Sequence, residues 1–282
     1  MFDEPVIEHV TLPCPRLPAA YDGLTVLHLS DLHVTHWTRR LALWRETLRP
    51  LRPDVVAITG DLGHRAWTWK SSATSLTRLL GDLHPPLGTF FILGNHDALR
   101  LGPVLAHQNG FCYLRNEVAF LTPPPRVDRV GGPAPAPGTR ERTVPAAGQR
   151  LALVGLDQHR RIDTDIPRAL RAVAPADFKL MLLHYPDLIH ESAAAGVDVC
   201  LAGHTHGGQI CWPDGHPILR QDVLPSAMCT GVHRVGQTWM VVNRGIGAAG
   251  LRVRLFCPAH AILLTLRRGA LLPEIQTARA AS

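Results

Sequence analysis

The chain has 282 residues, of which 46% are hydrophobic and 18% are charged, and its formal net charge is +6. This composition is ordinary for a globular protein, and the length is ample to bury a core without disulfide or metal staples. The composition argues against a disordered chain. The sequence has no run of eighteen apolar residues that would predict a membrane-spanning helix. Its arginines are scattered, which argues against a dedicated nucleic-acid groove.

The six cysteines are widely spaced and form no C-x-x-C pair, which argues against a disulfide framework or a thiolate metal site. Residues 1–8 contain neither a basic n-region nor an apolar h-region, so we expect no secretory signal. We therefore predict a cytoplasmic protein. Its positive charge favours anionic partners and leaves peripheral contact with the inner face of the membrane open.

In chain order, a strand at 6–12 is followed by five units in which a short apolar strand precedes a helical pattern. This alternation predicts an α/β architecture. Two further runs, 228–235 and 238–243, flank Gly236-Gln237 and predict a hairpin. Strands are also predicted at 251–256 and 261–267, and we expect a second sheet, packed on the first, to bury these C-terminal strands. The five predicted strands are 25–29, 54–59, 89–93, 178–183 and 197–202, and the helices are 38–51, 71–83, 102–108, 166–174 and 186–195.

The segment 122–149 holds seven prolines and four glycines and has no apolar periodicity. It predicts a surface loop inserted in a single domain that spans 1–282. A domain boundary in this segment is the alternative.

Each of the five strands ends in residues that bind hard or borderline metal ions. Ligands of open α/β sheets bind beyond the carboxyl ends of the strands, which is where all these residues fall. Residues two apart in an extended segment point to the same side, so each of the pairs Asp31/His33 and His204/His206 is expected to face one centre. The strand-end residues are Asp31, His33, Asp61, Asn95, His96, Asp97, His184, His204 and His206.

The blocks Ser-Asp-Leu-His (30–33), Gly-Asp (60–61), Gly-Asn-His-Asp (94–97), His184 and Gly-His-Thr-His (203–206) resemble the calcineurin-like metallophosphoesterase superfamily. Asn-Arg-Gly-Ile-Gly at 243–247, Gly-Gly-Gln at 207–209 and Leu-Arg-Asn-Glu at 114–117 resemble its YaeI-like phosphodiesterase branch. The resemblance implies two packed mixed β-sheets flanked by helices, a four-layer α/β/β/α sandwich.

The resemblance also implies a ligand set for two metal ions. Asp31, His33 and His206 would hold one ion. Asn95, His184 and His204 would hold the other, and Asp61 would bridge both. A bridging carboxylate suits two neighbouring cations because it offsets their repulsion. Nitrogen and oxygen ligands without thiolate favour manganese, iron or zinc.

A water between two such cations loses a proton near neutral pH, and the resulting metal-bridging hydroxide can attack phosphorus in line. In the family, the His of Gly-Asn-His-Asp is not a ligand. His96 is therefore the candidate that donates a hydrogen bond or a proton to the leaving group, with Asp97 orienting it.

His36, His64 and Arg65 follow the first two blocks closely and could reach a substrate phosphate. The other histidines, His28 and His260 among them, are expected to face solvent or to cap elements. Asp157 ends another apolar strand, where a capping or loop role is expected. For the tryptophans near the strand ends, packing is favoured over an aromatic rim for an acyl chain or a base.

The predicted function is a binuclear phosphoesterase that hydrolyses a phosphodiester in a phosphorylated small molecule or a lipid headgroup. One alternative is a hydrolase similar to the UDP-2,3-diacylglucosamine diphosphatases of lipid A synthesis, although the best-known group of these enzymes has Gly-Asn-Arg-Asp at 94–97. The other is a non-catalytic scaffold of the same fold, against which the intact His96 and seven ligand positions argue. Cys-Pro-Ala-His at 257–260 replaces the family's usual Pro-Pro-Glu, so no role of that Glu is carried over.

Overall fold

Two mixed β-sheets form the centre of the computed structural model, which describes residues 5–123, 145–159, 164–218, 224–250, 253–269 and 273–279. The strands are β1 (Val6–Pro13), β2 (Leu24–Leu29), β3 (Val55–Thr59), β4 (Thr89–Ile92), β5 (Cys112–Tyr113), β6 (Glu117–Leu121), β7 (Leu151–Gly155), β8 (Phe178–Leu182), β9 (Val199–Ala202), β10 (Gly231–Val235), β11 (Thr238–Val242), β12 (His260–Arg267) and β13 (Glu274–Arg279).

The first sheet has the strand order β13-β1-β12-β2-β3-β4-β5, and the second has β10-β11-β9-β8-β7-β6. In the first sheet β2, β3, β4 and β5 run parallel. In the second sheet β7, β8, β9 and β11 run parallel. The carboxyl ends of each parallel set therefore lie at one edge of its sheet.

Within the described residues, five α-helices cover the outer faces of the two sheets. Their bounds are α1 (Arg39–Leu48), α2 (Trp69–Leu80), α3 (Leu101–Asn109), α4 (Ile166–Ala169) and α5 (Ile189–Ala194), and shorter 3-10 turns lie at Ala19–Tyr21, Ala66–Thr68, Pro186–Leu188, His206–Gly208 and Ser226–Met228. Local chemistry fixes several helix ends. The hydroxyl of Thr38 accepts the amide of Leu41 at the start of α1, and Gly110 ends α3 in the left-handed conformation.

The central strands are buried on both faces, and alternate side chains along them enter different cores. In β2, Val26 belongs to the core between the two sheets, whereas Leu27 belongs to the core beneath α1, α2 and α3. A third core lies between the second sheet and α4 and α5. The order of layers is therefore helix, sheet, sheet, helix, which confirms the predicted four-layer sandwich.

Several strand predictions are corrected by the structure. β5, β6 and β13 were not predicted. The predicted strand at 251–256 is wrong within the described residues 253–256, where Leu255 forms only an isolated bridge with Ile210. β12 lies between β1 and β2 in the first sheet rather than in the second, because its nearly continuous apolar run is buried on both faces.

Most of the predicted insertion at 122–149 lies outside the described residues, which resume at residue 145. Within the described part of the chain, no helix combines the length and the apolar character that crossing a bilayer requires.

Candidate metal centre

The strand-end residues of both sheets meet at one place between the sheets. The amide of His204, after β9, donates to Oδ2 of Asp31, after β2, over 2.9 Å. Within the second sheet, the amide of Gly203 donates to the carbonyl of His184 over 3.2 Å. These contacts join the carboxyl ends of strands that are far apart in sequence.

The backbone at this edge is kinked rather than extended. Five of the predicted strand-end residues have φ between 47° and 68°, in the left-handed region that non-glycine residues rarely adopt. We predicted that Asp31 and His33, and likewise His204 and His206, face one centre because their segments are extended. The segments are kinked instead, so the reason given for this prediction is wrong. The kinked residues are Asp31, His33, Asp61, His204 and His206.

One group of potential ligands consists of Asp31, His33 and His206, whose ligand atoms all lie within 4.8 Å of one another. The Nε2 atoms of His33 and His206 are 3.0 Å apart, and Nε2 of His206 is 3.6 Å from Oδ1 of Asp31. This is the set that the resemblance implied for one ion.

A second group consists of Asp31, Asp61 and His184. Oδ2 of Asp61 lies 3.5 Å from Nε2 of His184 and 3.6 Å from Nε2 of His33, so this carboxylate stands between the two groups. Asp31 belongs to both groups, which the sequence did not indicate.

The two other residues implied for the second ion lie beside His184. Oδ1 of Asn95 is 3.0 Å from Nε2 of His184, and the rings of His184 and His204 have centroids 5.1 Å apart. All seven predicted ligands are thus neighbours in one cluster.

The ring orientation of His184 is fixed from behind. Its Nδ1 lies 2.8 Å from the carbonyl of Thr59, an arrangement that keeps Nε2 directed at the cluster. The side-chain carbonyl of Gln158 accepts the amides of His184 and Tyr185. Sequence reasoning missed Gln158, although it directly follows Asp157 at the end of an apolar run.

Two glycines let the strand ends approach each other closely. A Cβ on Gly203 would lie 1.8 Å from Oγ of Ser30, and one on Gly94 would lie 2.3 Å from Oδ1 of Asp61. No other residue fits at either position without moving the carboxylates.

Burial controls the protonation of the cluster. It lowers the pKa of His33 to about 3 and raises the pKa of Asp31 to about 6. Burial also opposes a charge on His184, but the adjacent carboxylate of Asp61 raises the pKa of this imidazole to about 9. Burial likewise opposes the ionised form of Asp61, but His184 and then His33 bring its pKa below the usual range.

The donor set fits bound metal ions. Both carboxylates are buried, and their ion-pair contacts among the described residues are with histidines. The two Nε2 atoms of His33 and His206 point at each other, which a shared cation would satisfy. Imidazole nitrogen and carboxylate oxygen without thiolate suit zinc, iron or manganese.

His96 and Asp97 occupy different environments. His96 is exposed, its amide donates to Oδ1 of Asp61 over 2.9 Å, and its ring centroid is 5.2 Å from that of His33. Asp97 is buried and accepts the amides of Gly63 over 2.6 Å and Gly94 over 2.9 Å. Asp97 therefore ties the loops after β3 and β4 together, and its orientation of the His96 ring stays a prediction.

The residues predicted to reach a substrate phosphate lie at the mouth of the centre. Nδ1 of His64 is 3.1 Å from Nδ1 of His33, and its ring lies 5.5 Å from that of His96. His36 and Arg65 are exposed and line an open cleft of about 310 Å³ with Trp67. His36 also borders a second cleft, of about 240 Å³.

Two histidines expected at the surface are fully buried beneath the centre. Nε2 of His28 lies 2.9 Å from Oγ1 of Thr59, whose carbonyl contacts His184. Nδ1 of His260 accepts the amide of Arg244, and its Nε2 is 3.7 Å from Glu8. The expectation that His28 and His260 face solvent is wrong, because β2 and the start of β12 lie inside the sheet.

Arg254 was also missed, since it lies in the segment predicted as a strand. Its Nη2 is 3.2 Å from Nδ1 of His206 and donates to the carbonyl of Gly247 over 2.7 Å. This guanidinium links the loop after β9 to the segment before β12.

Comparisons with known proteins agree with this geometry. The sequence model of the calcineurin-like phosphoesterase family matches residues 24–208. The chain is 26% identical over 266 residues to the metallophosphoesterase YkuE of Bacillus subtilis, covering 92% of this chain and 84% of that protein. It is 29% identical over 267 residues to a transmembrane protein with metallophosphoesterase domain of Danio rerio, covering 89% and 55% of the two chains.

A third relative is the UDP-2,3-diacylglucosamine pyrophosphatase LpxG of Chlamydia trachomatis. The identity is 28% over 227 residues, which cover 71% of this chain and 68% of that protein. All seven predicted ligands lie within the residues that the family model matches.

Proposed function

The chain belongs to the calcineurin-like phosphoesterase family and is a metal-dependent phosphoric ester hydrolase, and from this premise we propose that it uses two metal ions to hydrolyse a phosphodiester. The observation that carries the proposal is the overlap of two ligand groups. Asp31 belongs to both groups, and Asp61 lies within 3.6 Å of a histidine from each. Two groups that share one carboxylate, with a second carboxylate in contact with a histidine of each, are suited to two ions close together.

In this proposal, Asp31, His33 and His206 hold one ion. Asn95, His184 and His204 hold the other, and Asp61 bridges them. The chemistry that two bound ions supply is the ionisation of a water near neutral pH, together with positive charge beside the phosphate oxygens. The kinked loops fix the ligands before the substrate arrives, so that little reorganisation is needed during the reaction.

His96 serves the leaving group. Its amide is tied to Asp61, and its exposed ring lies over the ligand cluster, where a hydrogen bond or a proton can reach a departing oxygen. His36, His64 and Arg65 bind the substrate phosphate from the mouth of the site. An arginine beside an open cleft can donate hydrogen bonds to two phosphate oxygens at once.

A second candidate function is hydrolysis of the diphosphate bond of a UDP-diacylglucosamine-like lipid. The similarity to LpxG favours it, because it extends over 71% of this chain. Peripheral contact with a membrane belongs to the same proposal, since such a substrate lies in a bilayer.

The single domain over residues 1–282 is likewise our proposal.

The test measures metal content and turnover together on the purified chain. Elemental analysis after loading with manganese, iron or zinc should find about two ions per chain. Hydrolysis of bis(p-nitrophenyl) phosphate should then exceed that of p-nitrophenyl phosphate. A chain that holds one ion at saturation, or that cleaves only the monoester, would contradict the proposal.

A panel of nucleotides, cyclic nucleotides, phospholipids and UDP-diacylglucosamine separates the two candidate functions. Turnover of the UDP lipid well above that of all diesters would favour the diphosphatase. The opposite order would favour the phosphodiesterase.

A further inference from the structure

Five large apolar side chains are exposed on two neighbouring segments beside the candidate metal centre. Between 46% and 59% of each residue is exposed. Single exposed apolar residues are normal on a soluble protein, but a contiguous group of them marks an interaction surface. We call this group the apolar ladder, and its members are Trp212, Ile218, Val253, Leu255 and Phe256.

Backbone hydrogen bonds place the two segments side by side. The amide of Leu255 donates to the carbonyl of Gln209 over 3.0 Å, and the amide of Cys211 donates to the carbonyl of Leu255 over 2.9 Å. On the other side, the amide of Ile218 donates to the carbonyl of Ile210 over 2.9 Å. The two segments that carry the apolar ladder therefore lie side by side on a hydrogen-bonded framework.

This framework is attached to the metal centre. Arg254 lies between two members of the ladder, and its guanidinium turns inward to within 3.2 Å of Nδ1 of His206. Cys257, which follows the ladder, donates its thiol to the carbonyl of His206 over 3.2 Å. Two members of the apolar ladder, Val253 and Leu255, are thus direct sequence neighbours of Arg254, whose side chain contacts the predicted metal ligand His206.

Phe256 combines an exposed aromatic ring with an unusual backbone conformation. Its φ is 53°, a left-handed conformation that bulky residues rarely adopt, and 55% of the residue is exposed. Strained residues of this kind are found where a function requires the geometry. Here the strain accompanies an aromatic ring that faces solvent.

We infer that the apolar ladder inserts into an anionic phospholipid bilayer and holds the metal centre at the lipid surface. Aromatic and aliphatic side chains on a basic protein are the combination that favours the boundary between headgroups and acyl chains. The net charge of +6 attracts an anionic surface and opposes association of two copies of the chain. The inference rests on the proposed function, because the role of the bilayer would be to present lipid headgroup phosphates to the candidate metal centre.

The experiment measures binding to vesicles without any need for catalysis. The full chain is sedimented with vesicles of phosphatidylcholine that contain roughly a third of phosphatidylglycerol, and with vesicles of phosphatidylcholine alone. The test variant is Trp212→Ser with Leu255→Ser. The matched control is Leu43→Ser with Ile275→Ser, which removes exposed apolar side chains from α1 and β13 instead.

We expect the parent to bind the anionic vesicles more tightly than the neutral ones. The ladder variant should lose about a hundredfold in partition coefficient, because each buried large side chain contributes about tenfold. The control variant should keep the parental value. If the double variant does not fold, as judged by circular dichroism, Trp212→Ser alone should lose about tenfold.

Absence of vesicle binding by the parent, or equal binding by the ladder variant, would overturn the inference. So would a parental dimer that the ladder variant converts to a monomer with no change in vesicle binding, since the surface would then join two copies. Turnover of soluble bis(p-nitrophenyl) phosphate separates this outcome from failure of the proposed function. Both variants should keep that turnover, and a chain that binds vesicles but hydrolyses nothing would contradict only the proposed function.

Discussion

Two buried carboxylates, one just before β8 and one that follows β3 and contacts His184 beyond the other end of β8, are in opposite circumstances. Asp177 precedes the strand, and its two oxygens accept four hydrogen bonds, from Arg150 twice and from the amides of Gly148 and Ala174, over 2.6 to 3.1 Å. Beyond the other end of the strand, Oδ2 of Asp61 has contacts of 3.5 and 3.6 Å with two histidine nitrogens.

Burying a carboxylate is unfavourable at either end unless the charge is compensated. At Asp177 the chain itself supplies the compensation, so this residue contributes to stability. At Asp61 the compensation comes from His184 and His33, which are themselves predicted metal ligands. We therefore expect this residue to contribute to function and, through its pairing with these histidines, also to the stability of the metal-free fold. The predictions below test that division, beginning with the largest expected effect.

Asp61→Asn should abolish most activity while leaving the fold intact. Removal of a bridging charge is expected to lower turnover by more than about a thousandfold, because the charge stabilisation involved is worth several kcal/mol. Metal content, measured by elemental analysis, should fall with it. The metal-free variant should unfold at a lower denaturant concentration than the metal-free parent, because buried His184 loses the carboxylate that raises its pKa.

A metal-free variant as stable as the metal-free parent would contradict the pairing of Asp61 with His184. A variant that keeps both metal content and turnover would contradict the ligand assignment itself.

His96→Ala should lower turnover by about a hundredfold to ten-thousandfold with the metal retained. The loss should depend on the leaving group. A substrate that releases p-nitrophenol needs little help from a proton donor, whereas one that releases an aliphatic alcohol needs much, so kcat should fall further for the second. Equal losses for both substrates would contradict the leaving-group role, and a parental rate would exclude any role of His96 in catalysis.

Asp177→Ala should affect stability and leave the active site unchanged. Loss of its hydrogen bonds should lower the free energy of unfolding by about 2 kcal/mol, measured by urea titration. Turnover per folded molecule should not change. Asp82→Ala is the matched control, because it removes a half-exposed partner of Arg45, and the expected loss is below about 1 kcal/mol.

The contribution of Asp177 also has a defined pH dependence. Burial opposes its ionisation, but Arg150 and the amides of Gly148 and Ala174 bring its pKa below the usual range. A lowered carboxyl pKa means that the stabilisation is present above the unfolded value of about 3.9 and is lost as the pH falls through the folded value. The difference between parent and variant should therefore shrink in strong acid. If the difference in the free energy of unfolding between parent and variant persists in strong acid, the effect comes from packing and not from the charge of Asp177.

The sequence predicted which strand-end residues the structure brings together better than it predicted their surroundings, and their binding of metal stays a prediction. Each ligand block follows an apolar strand, and this relation is local, so periodicity is enough to find it. The position of β12 between β1 and β2 depends on pairing across more than two hundred residues, which periodicity does not encode. Gln158 and Arg254 were missed for the same reason, since their partners in the site are distant in sequence.

The kinked backbone was missed for a different reason. Sequence patterns indicate a left-handed conformation through glycine or asparagine, whereas here Asp31, His33 and Asp61 adopt it. His28 lies outside the metal-binding blocks and was expected to face solvent or to cap an element. Both faces of β2 are buried, so this histidine is buried as well.

The burial of His28 predicts a loss of stability in mild acid. Burial lowers the pKa of His28 to about 3, while the unfolded chain has its histidines near 6.5. Between these values the unfolded state binds a proton that the folded state does not. The free energy of unfolding should therefore fall as the pH decreases below about 6.5, by up to about 1.4 kcal/mol per pH unit for this group.

The measurement compares urea titrations of the metal-free parent and of His28→Gln between about pH 7 and about pH 5. Glutamine can still bond to the hydroxyl of Thr59 but does not titrate, so the variant should show a shallower pH dependence than the parent. Parallel curves would mean that His28 is protonated within the fold, and the cluster beneath the metal centre would then carry a charge that its present contacts do not compensate.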